Sequence, residues 1–346
     1  METEQMTHAR GLSDMLRIVG SLLVGLAMSV SCGNRSAGVA AASKQAPSVS
    51  VTVPQFDADS AFSYIRTQTE FGPRVPNTAA HRECAGWLAD KLRSLGAETV
   101  VQDIEVTAFD GTIIRGFNII GSYRPESGRR IIICSHWDSR PWADNDPDRA
   151  NHRTPVDAAN DGASGVGVIL EIARQMQMQL PEIGVDCIFF DAEDWGPGDD
   201  WKGEQREDMW GLGTQYWARR MHTEGYNARY AILLDMVGGQ NATFYREGYS
   251  VRYASGVVDK VWDAAARVGS GRYFPNTGSC YVTDDHVFIN TIGKIPAIDI
   301  VPYYPDCEQS SFGPTWHTVS DDIEHIDKAT LQAVGRTLMY VIYNEK

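Results

Sequence analysis

Four short apolar runs constrain this chain more than any other feature: "IIIC" at 131 to 134, "CIFF" at 187 to 190, "AILL" at 231 to 234 and "AIDIV" at 297 to 301. They are nearly unbroken rather than alternating, which marks central strands covered on both faces, as in a parallel sheet sandwiched between helices. In such sheets function gathers beyond the carboxyl ends of the strands. His136 and Asp138 follow the first run, Asp191, Glu193 and Asp194 the second, and Asp235 the third. A lone acid there would read as a turn former or helix cap. Turn chemistry, however, supplies no reason for a histidine among the acids.

The surrounding pattern is α/β. Strands are predicted at 98 to 106, 115 to 123, 129 to 136, 185 to 192, 229 to 238 and 295 to 303. Helices are predicted at 79 to 96, 163 to 178, 212 to 222, 255 to 268 and 327 to 343. The first of these helices carries Ala79, Cys84, Trp87, Leu88, Leu92 and Leu95 at helical spacing and stops at Gly96. With 346 residues, 43% hydrophobic and 22% charged, the chain has ample material for a core. A net charge of −14 without any basic cluster argues against a nucleic-acid partner.

Residues 1 to 32 read as an export signal. Arg10 and Arg17 precede the 13-residue stretch "IVGSLLVGLAMSV", too short to span a bilayer but suited to a signal-peptide core. Met15 is an alternative start. Cys32 follows Ser29 and Ser31 in an imperfect lipoprotein box, so lipidation at Cys32 and ordinary cleavage between Ala27 and Ser31 both stay open. The expectation is an exported, periplasmic protein whose contact with a membrane would run through a lipid at Cys32. Residues 33 to 53 are small and polar and fit a flexible tether, leaving 54 to 346 as the folded domain. Cys134 and Cys187 lie in strand runs as buried hydrophobes, whereas Cys280 and Cys307 sit in loops where a disulfide between them is an open option.

Three further motifs complete the polar constellation. "NDGASG" places Asp161 at the mouth of the helix from 163, "TDDHVF" supplies Asp284, Asp285 and His286, and "TWHTVSDD" supplies His317. Taken alone, "NDG" would suit a helix N-cap equally well. A mixed histidine and carboxylate set spread over several strand-end loops suits a catalytic metal better than a structural one, because zinc takes nitrogen and oxygen ligands and a catalytic site keeps a position open.

In chain order, "SHWDS", "NDGASGVGVILEIAR", "FFDAEDWG", "LLDMVG", "TDDHVFI" and "WHTVSDD" resemble the zinc-dependent aminopeptidase superfamily, peptidase family M28, and within it the glutaminyl cyclases of the animal type that also occur in bacteria. The resemblance runs from about residue 57 to the end. It implies a single three-layer α/β/α domain with a mixed, mostly parallel central sheet. It implies Asp161, Asp194 and His317 as ligands of one zinc ion, Glu193 as the proton carrier, and Asp235 and Asp284 as aspartates around the reacting amide. His136 and Asp138 would either ligate a second metal or hold the ligands from behind. Trp201 and Trp316 are the matching pocket aromatics. Two departures stand out: Asp194 replaces the more common glutamate, and the loop before His317 is long.

Two activities fit this superfamily. Hydrolysis by an aminopeptidase uses two metals to activate a water, with His136 and Asp235 completing the second site. Cyclisation of an N-terminal glutamine to pyroglutamate releases ammonia and needs one Lewis acid, because the nucleophile is the substrate's own amine. The acid at Asp284, where the aminopeptidases usually carry a small residue, favours cyclisation of peptides with N-terminal Gln. A non-catalytic binding module would have no use for Glu193 beside intact ligands.

Overall fold

The structure, a computed structural model, describes residues 52–198 and 200–346. The export signal, Cys32 and the tether to residue 51 lie outside the described residues. Seven helices and six strands are found among the described residues, in the order α1 (Ala58–Glu70), α2 (Ala79–Ser94), β1 (Glu98–Thr107), β2 (Ile113–Tyr123), β3 (Arg130–His136), α3 (Ala163–Met178), β4 (Gly184–Phe190), α4 (Leu212–Arg219), β5 (Ala231–Leu234), α5 (Gly248–Arg267), α6 (Asp285–Thr291), β6 (Ala297–Ile300) and α7 (Lys328–Asn344).

The sheet runs β1-β2-β4-β3-β5-β6. The β1–β2 and β2–β4 pairings are antiparallel, and the β4–β3, β3–β5 and β5–β6 pairings are parallel. Every residue of β3, β4, β5 and β6 is buried, as the unbroken apolar runs require. Alternate side chains divide between two cores. Ile131, Ile133, Cys187, Phe189, Ile232 and Leu234 pack under α1, α2, α3, α5 and α7, while Ile132, Cys134, Ile188, Phe190 and Leu233 pack against Trp217 of α4 and Ile289 of α6. The result is the three-layer α/β/α arrangement.

Connections from β3 lead to β4 on one side, and the chain then crosses to β5 on the other. The carboxyl end of β3 is therefore a switch point where the loops diverge and leave a crevice. Helix α3 seats tightly behind it: a Cβ on Gly165 would come within 2.3 Å of Ser135 Oγ and 2.4 Å of the Leu234 carbonyl. Glycine is needed there for close approach.

The expected elements agree with the observed ones to within a few residues, with three exceptions. Helix α1, capped by Asp57, was not among the expected helices. Helix α5 begins at Gly248 rather than 255, because the Glu247 carboxylate caps Tyr249 and Ser250 and the helix continues through a kink at Ala254. Helix α6 is too short to show periodicity and is marked only by its Asp284 cap. Cys134 and Cys187 are buried and free, as expected. The Cys280–Cys307 disulfide option is corrected: both thiols are free, the Cys280 carbonyl being fastened to Gly248 N–H and the Cys307 N–H to the Tyr304 carbonyl. No helix among the described residues is long and apolar enough to cross a membrane.

Candidate active site

The acids and histidines of the strand-end motifs converge in and around one cavity of about 260 Å³ beyond the carboxyl ends of β3, β4 and β5. Asp161, Asp194 and His317 each offer a donor atom within 4.8 Å of the others, and all three are buried. His317 Nε2 lies 3.2 Å from Asp194 Oδ1 and 3.7 Å from Asp161 Oδ2. A second group, His136, Asp161 and Asp235, shares Asp161 with the first. There His136 Nε2 stands 2.9 Å from Asp161 Oδ1 and 3.2 Å from Asp235 Oδ1.

The donor set fits a divalent cation. Asp194 Oδ2 is buried and has no hydrogen-bond partner among the protein atoms, and Asp194 stands beside a neutral-capable imidazole and a second carboxylate. Two oxygens and one nitrogen, buried together, match the three-ligand pattern that catalytic zinc sites use.

Several local features hold these groups in place. Asp138 does not face the cavity; its two oxygens accept the backbone N–H groups of Glu193 (3.1 Å) and Asp194 (3.2 Å), and Oδ1 lies 3.4 Å from His136 Nδ1. Asp138 thus holds the Glu193–Asp194 turn from behind. Asp321, four residues after His317, accepts the N–H groups of Asn160 (2.8 Å) and Asp161 (3.0 Å), tying the Asp161 and His317 loops together. Gly162 lets the Asp161 turn lie on His136: a Cβ there would meet the His136 carbonyl at 2.4 Å and Nε2 at 2.6 Å. Asp161 is not a helix cap; Gly162 occupies that position without a side-chain bond.

Three non-glycine residues with positive φ flank the cluster: Ala192 (52°), Met236 (50°) and His317 itself (53°). Such backbone costs of order 1–3 kcal/mol per residue and persists where surrounding structure demands it. Asp191 faces away from the cavity, its carboxylate held by His81 Nε2 (2.8 Å) and the Phe117 N–H (2.6 Å). It anchors α2 and β2 to the end of β4.

Sequence reasoning missed Arg140. Its buried guanidinium sits 5.1 Å from the ring centres of both Trp142 and Trp210, donates to Asp144 at 3.0 and 2.6 Å, and reaches Asp194 Oδ1 at 3.4 Å. Asp144 in turn lies 3.4 Å from His317 Nδ1. The signal was present, an arginine between tryptophans in "HWDSRPWAD", but it matched no ligand spacing.

Electrostatics follow from crowding acids in a dry space. Burial, then the neighbouring Asp284 carboxylate, holds Glu193 well above the ordinary carboxylate range. Burial, then Asp161, pushes Asp235 up to about 7, and burial raises Asp284 as well. For His136 burial lowers the pKa, but the carboxylates of Asp138, Asp161 and Asp235 outweigh it and leave it well above its usual value. A bound cation would favour deprotonated ligands throughout.

Of the two aromatics expected in the pocket, Trp316 lines it, its ring stacked on His317 at 3.8 Å. Trp201 does not. It is 37% exposed, packs edge-on against Phe109 at 4.9 Å, and the pocket tryptophan from that loop is Trp210.

A layered α/β/α domain with a histidine and carboxylate cluster at the switch point of its parallel strands is the architecture of an enzyme whose site can hold a metal. The chain belongs to peptidase family M28, whose family model matches residues 118–342. A crystal structure of glutaminyl cyclase from Bacteroides thetaiotaomicron is similar at 54% identity with a TM-score of 0.84, covering 85% of this chain and 100% of that one. A Zn-dependent exopeptidase from Parabacteroides distasonis is similar at 50% identity and TM-score 0.83, covering 85% and 100% respectively. The glutaminyl-peptide cyclotransferase of Drosophila melanogaster is 26% identical over 293 residues, covering 75% of this chain and 73% of that protein.

Proposed function

We propose that this protein is a zinc-dependent glutaminyl-peptide cyclotransferase, closing the N-terminal glutamine of peptides to pyroglutamate with release of ammonia. The observation that carries the reading is the carboxylate of Asp284, buried in the same pocket as Glu193 and Asp235. Glutaminyl cyclases among the similar structures and curated relatives support it.

One zinc ion, held by Asp161, Asp194 and His317, would supply Lewis acidity toward the γ-carbonyl oxygen of the substrate glutamine. The protein's own groups do the rest. Glu193 takes a proton as the substrate's α-amine attacks the carbonyl carbon of the side-chain amide (Cδ), and returns one to the departing amide nitrogen, which leaves as ammonia. Asp235 and Asp284 face the same space and can accept hydrogen bonds from the amine and the amide N–H groups, fixing the side chain in the folded-back geometry that ring closure needs. Trp316, stacked on His317, covers the apolar part of the glutamine side chain. No external water takes part.

A second reading is favoured by one observation: His136, Asp161 and Asp235 form a second metal-capable group sharing Asp161 with the first. Two ions there would suit an aminopeptidase that hydrolyses N-terminal residues. Incubating the protein with Gln-Ala and Leu-amide side by side separates the two. Ammonia and pyroglutamyl-alanine from the first alone support the cyclase, and free leucine from the second overturns it in favour of hydrolysis.

Residues 1–32 support export to the periplasm, with a lipid at Cys32 as the membrane attachment. Fatty-acid labelling that disappears in Cys32→Ser would support the anchor; unlabelled protein would refute it.

A further inference from the structure

We propose that Tyr281 forms a binding site for an aromatic side chain at the second residue of the peptide substrate; the inference rests on the cyclase reading of the pocket. Ring closure brings the glutamine's α-amine and γ-amide to one spot near Glu193. Both ends of the reacting residue are then committed to the pocket floor, and the rest of the peptide must leave through the mouth, carrying its second side chain along the rim.

Tyr281 stands at that rim. It lines the cavity yet is 63% exposed. An exposed tyrosine is ordinarily unremarkable and free to move, but this one is fixed from three directions. Its ring lies on Gly248, where a Cβ would meet ring carbons at 2.8 Å. Its backbone neighbours are fastened to the start of α5, the Cys280 carbonyl by Gly248 N–H at 2.9 Å and the Val282 N–H by Glu247 Oε1 at 3.0 Å. Its edge meets Tyr249 at 4.9 Å and 72°. Tyr249 is itself held by Glu207 through its hydroxyl at 2.7 Å and stacks on Tyr253 at 6.0 Å.

A ring immobilised before binding loses little entropy when a partner docks on it. An aromatic pair in edge-to-face or offset-stacked contact changes affinity about three- to tenfold. Acidic second residues gain nothing here, because Arg140, among the described residues the one arginine or lysine lining the cavity, already donates to Asp144, Asp194 and Gly196.

The test measures ammonia release from Gln-Phe-amide, Gln-Gly-amide and Gln-Glu-amide by the full-length protein, with Tyr281→Ala and Tyr281→Phe beside wild type. KM for Gln-Phe-amide is expected about three- to tenfold below that for Gln-Gly-amide, with kcat nearly equal and Gln-Glu-amide the weakest. The gap should collapse in Tyr281→Ala and survive in Tyr281→Phe. Equal KM values in wild type, or a gap that persists in Tyr281→Ala, overturn this inference alone. Ammonia from none of the peptides overturns the cyclase reading and this inference with it.

Discussion

Replacing Asp138 by Asn separates a residue that orients the ligand-bearing turn from one that ligates metal directly. The carboxylate accepts two buried backbone N–H groups, from Glu193 at 3.1 Å and Asp194 at 3.2 Å. An asparagine of the same shape has one oxygen, so one N–H would face an amide NH₂ and lose its partner. An unsatisfied buried donor costs about 1–3 kcal/mol, and the remaining bond falls from charge-assisted to neutral. A loss of about 2–4 kcal/mol follows, lowering the melting temperature by about 3–8 °C. The turn it releases carries Asp194, so zinc affinity should fall about 10- to 100-fold, the usual consequence of removing an outer hydrogen bond. Thermal unfolding of the apoprotein and zinc titration against a competing chelator measure the two effects independently. An Asp138→Asn protein with the melting temperature and zinc affinity of wild type would refute the orienting role. If instead the variant lost one of two bound ions outright, Asp138 would be a ligand.

Four further outcomes are expected. Glu193→Gln should lower ammonia release by about 10²–10⁴ while elemental analysis still finds metal; undiminished turnover would remove Glu193 from its role. His317→Ala should lose the metal, and full zinc content in that variant would show that the ligand is another residue. Gly162→Ala forces a Cβ to within 2.6 Å of His136 Nε2, so it should cost about 1–3 kcal/mol in unfolding free energy and most of the activity. Acid stability should depend on Glu247: burial raises its pKa, but the His286 hydrogen bond and charge and the N–H groups of Ser250 and Val282 outweigh it, bringing it from 4.5 to about 2. A depressed carboxylate stabilises the fold above its ordinary pKa and loses that contribution as pH falls between 4.5 and about 2, a contribution of up to about 3 kcal/mol. Denaturant unfolding of Glu247→Gln between pH 7 and 3 should show a shallower acid slope than wild type, and an identical slope would exclude this source.

Legibility in the sequence differed by element. The strands were readable because burial on both faces demands unbroken apolar runs, and α3 was readable to both ends because its buried face and its glycines leave a clear pattern. Helix α6, by contrast, has seven residues, too few for any period to emerge. The start of α5 was hidden by a non-helical Ala254, with a φ of −145°, inside the helix. Trp201 illustrates the limit for site residues. Four tryptophans lie between 195 and 217, and only the folded loop decides that Trp210 enters the pocket while Trp201 packs on Phe109.

By itself, the sequence determined the layered α/β class, the strands, and the chemical identity of the groups at their carboxyl ends, because burial and backbone pairing act on local pattern. It also made Glu193 and Asp194 neighbours, which no fold could separate. Tertiary structure decided how those acids divide their work. Asp191 turned away to His81, Asp138 turned back onto the turn's N–H groups, and Asp161 came to stand between His136 and His317. Those outcomes depend on contacts between residues more than a hundred positions apart in several cases, and on loop backbone at positive φ that no local preference favours. Distance and direction among charges, which set both the spacing of the metal-capable groups and the shifts of Glu193 and Asp235, exist only once the loops have met.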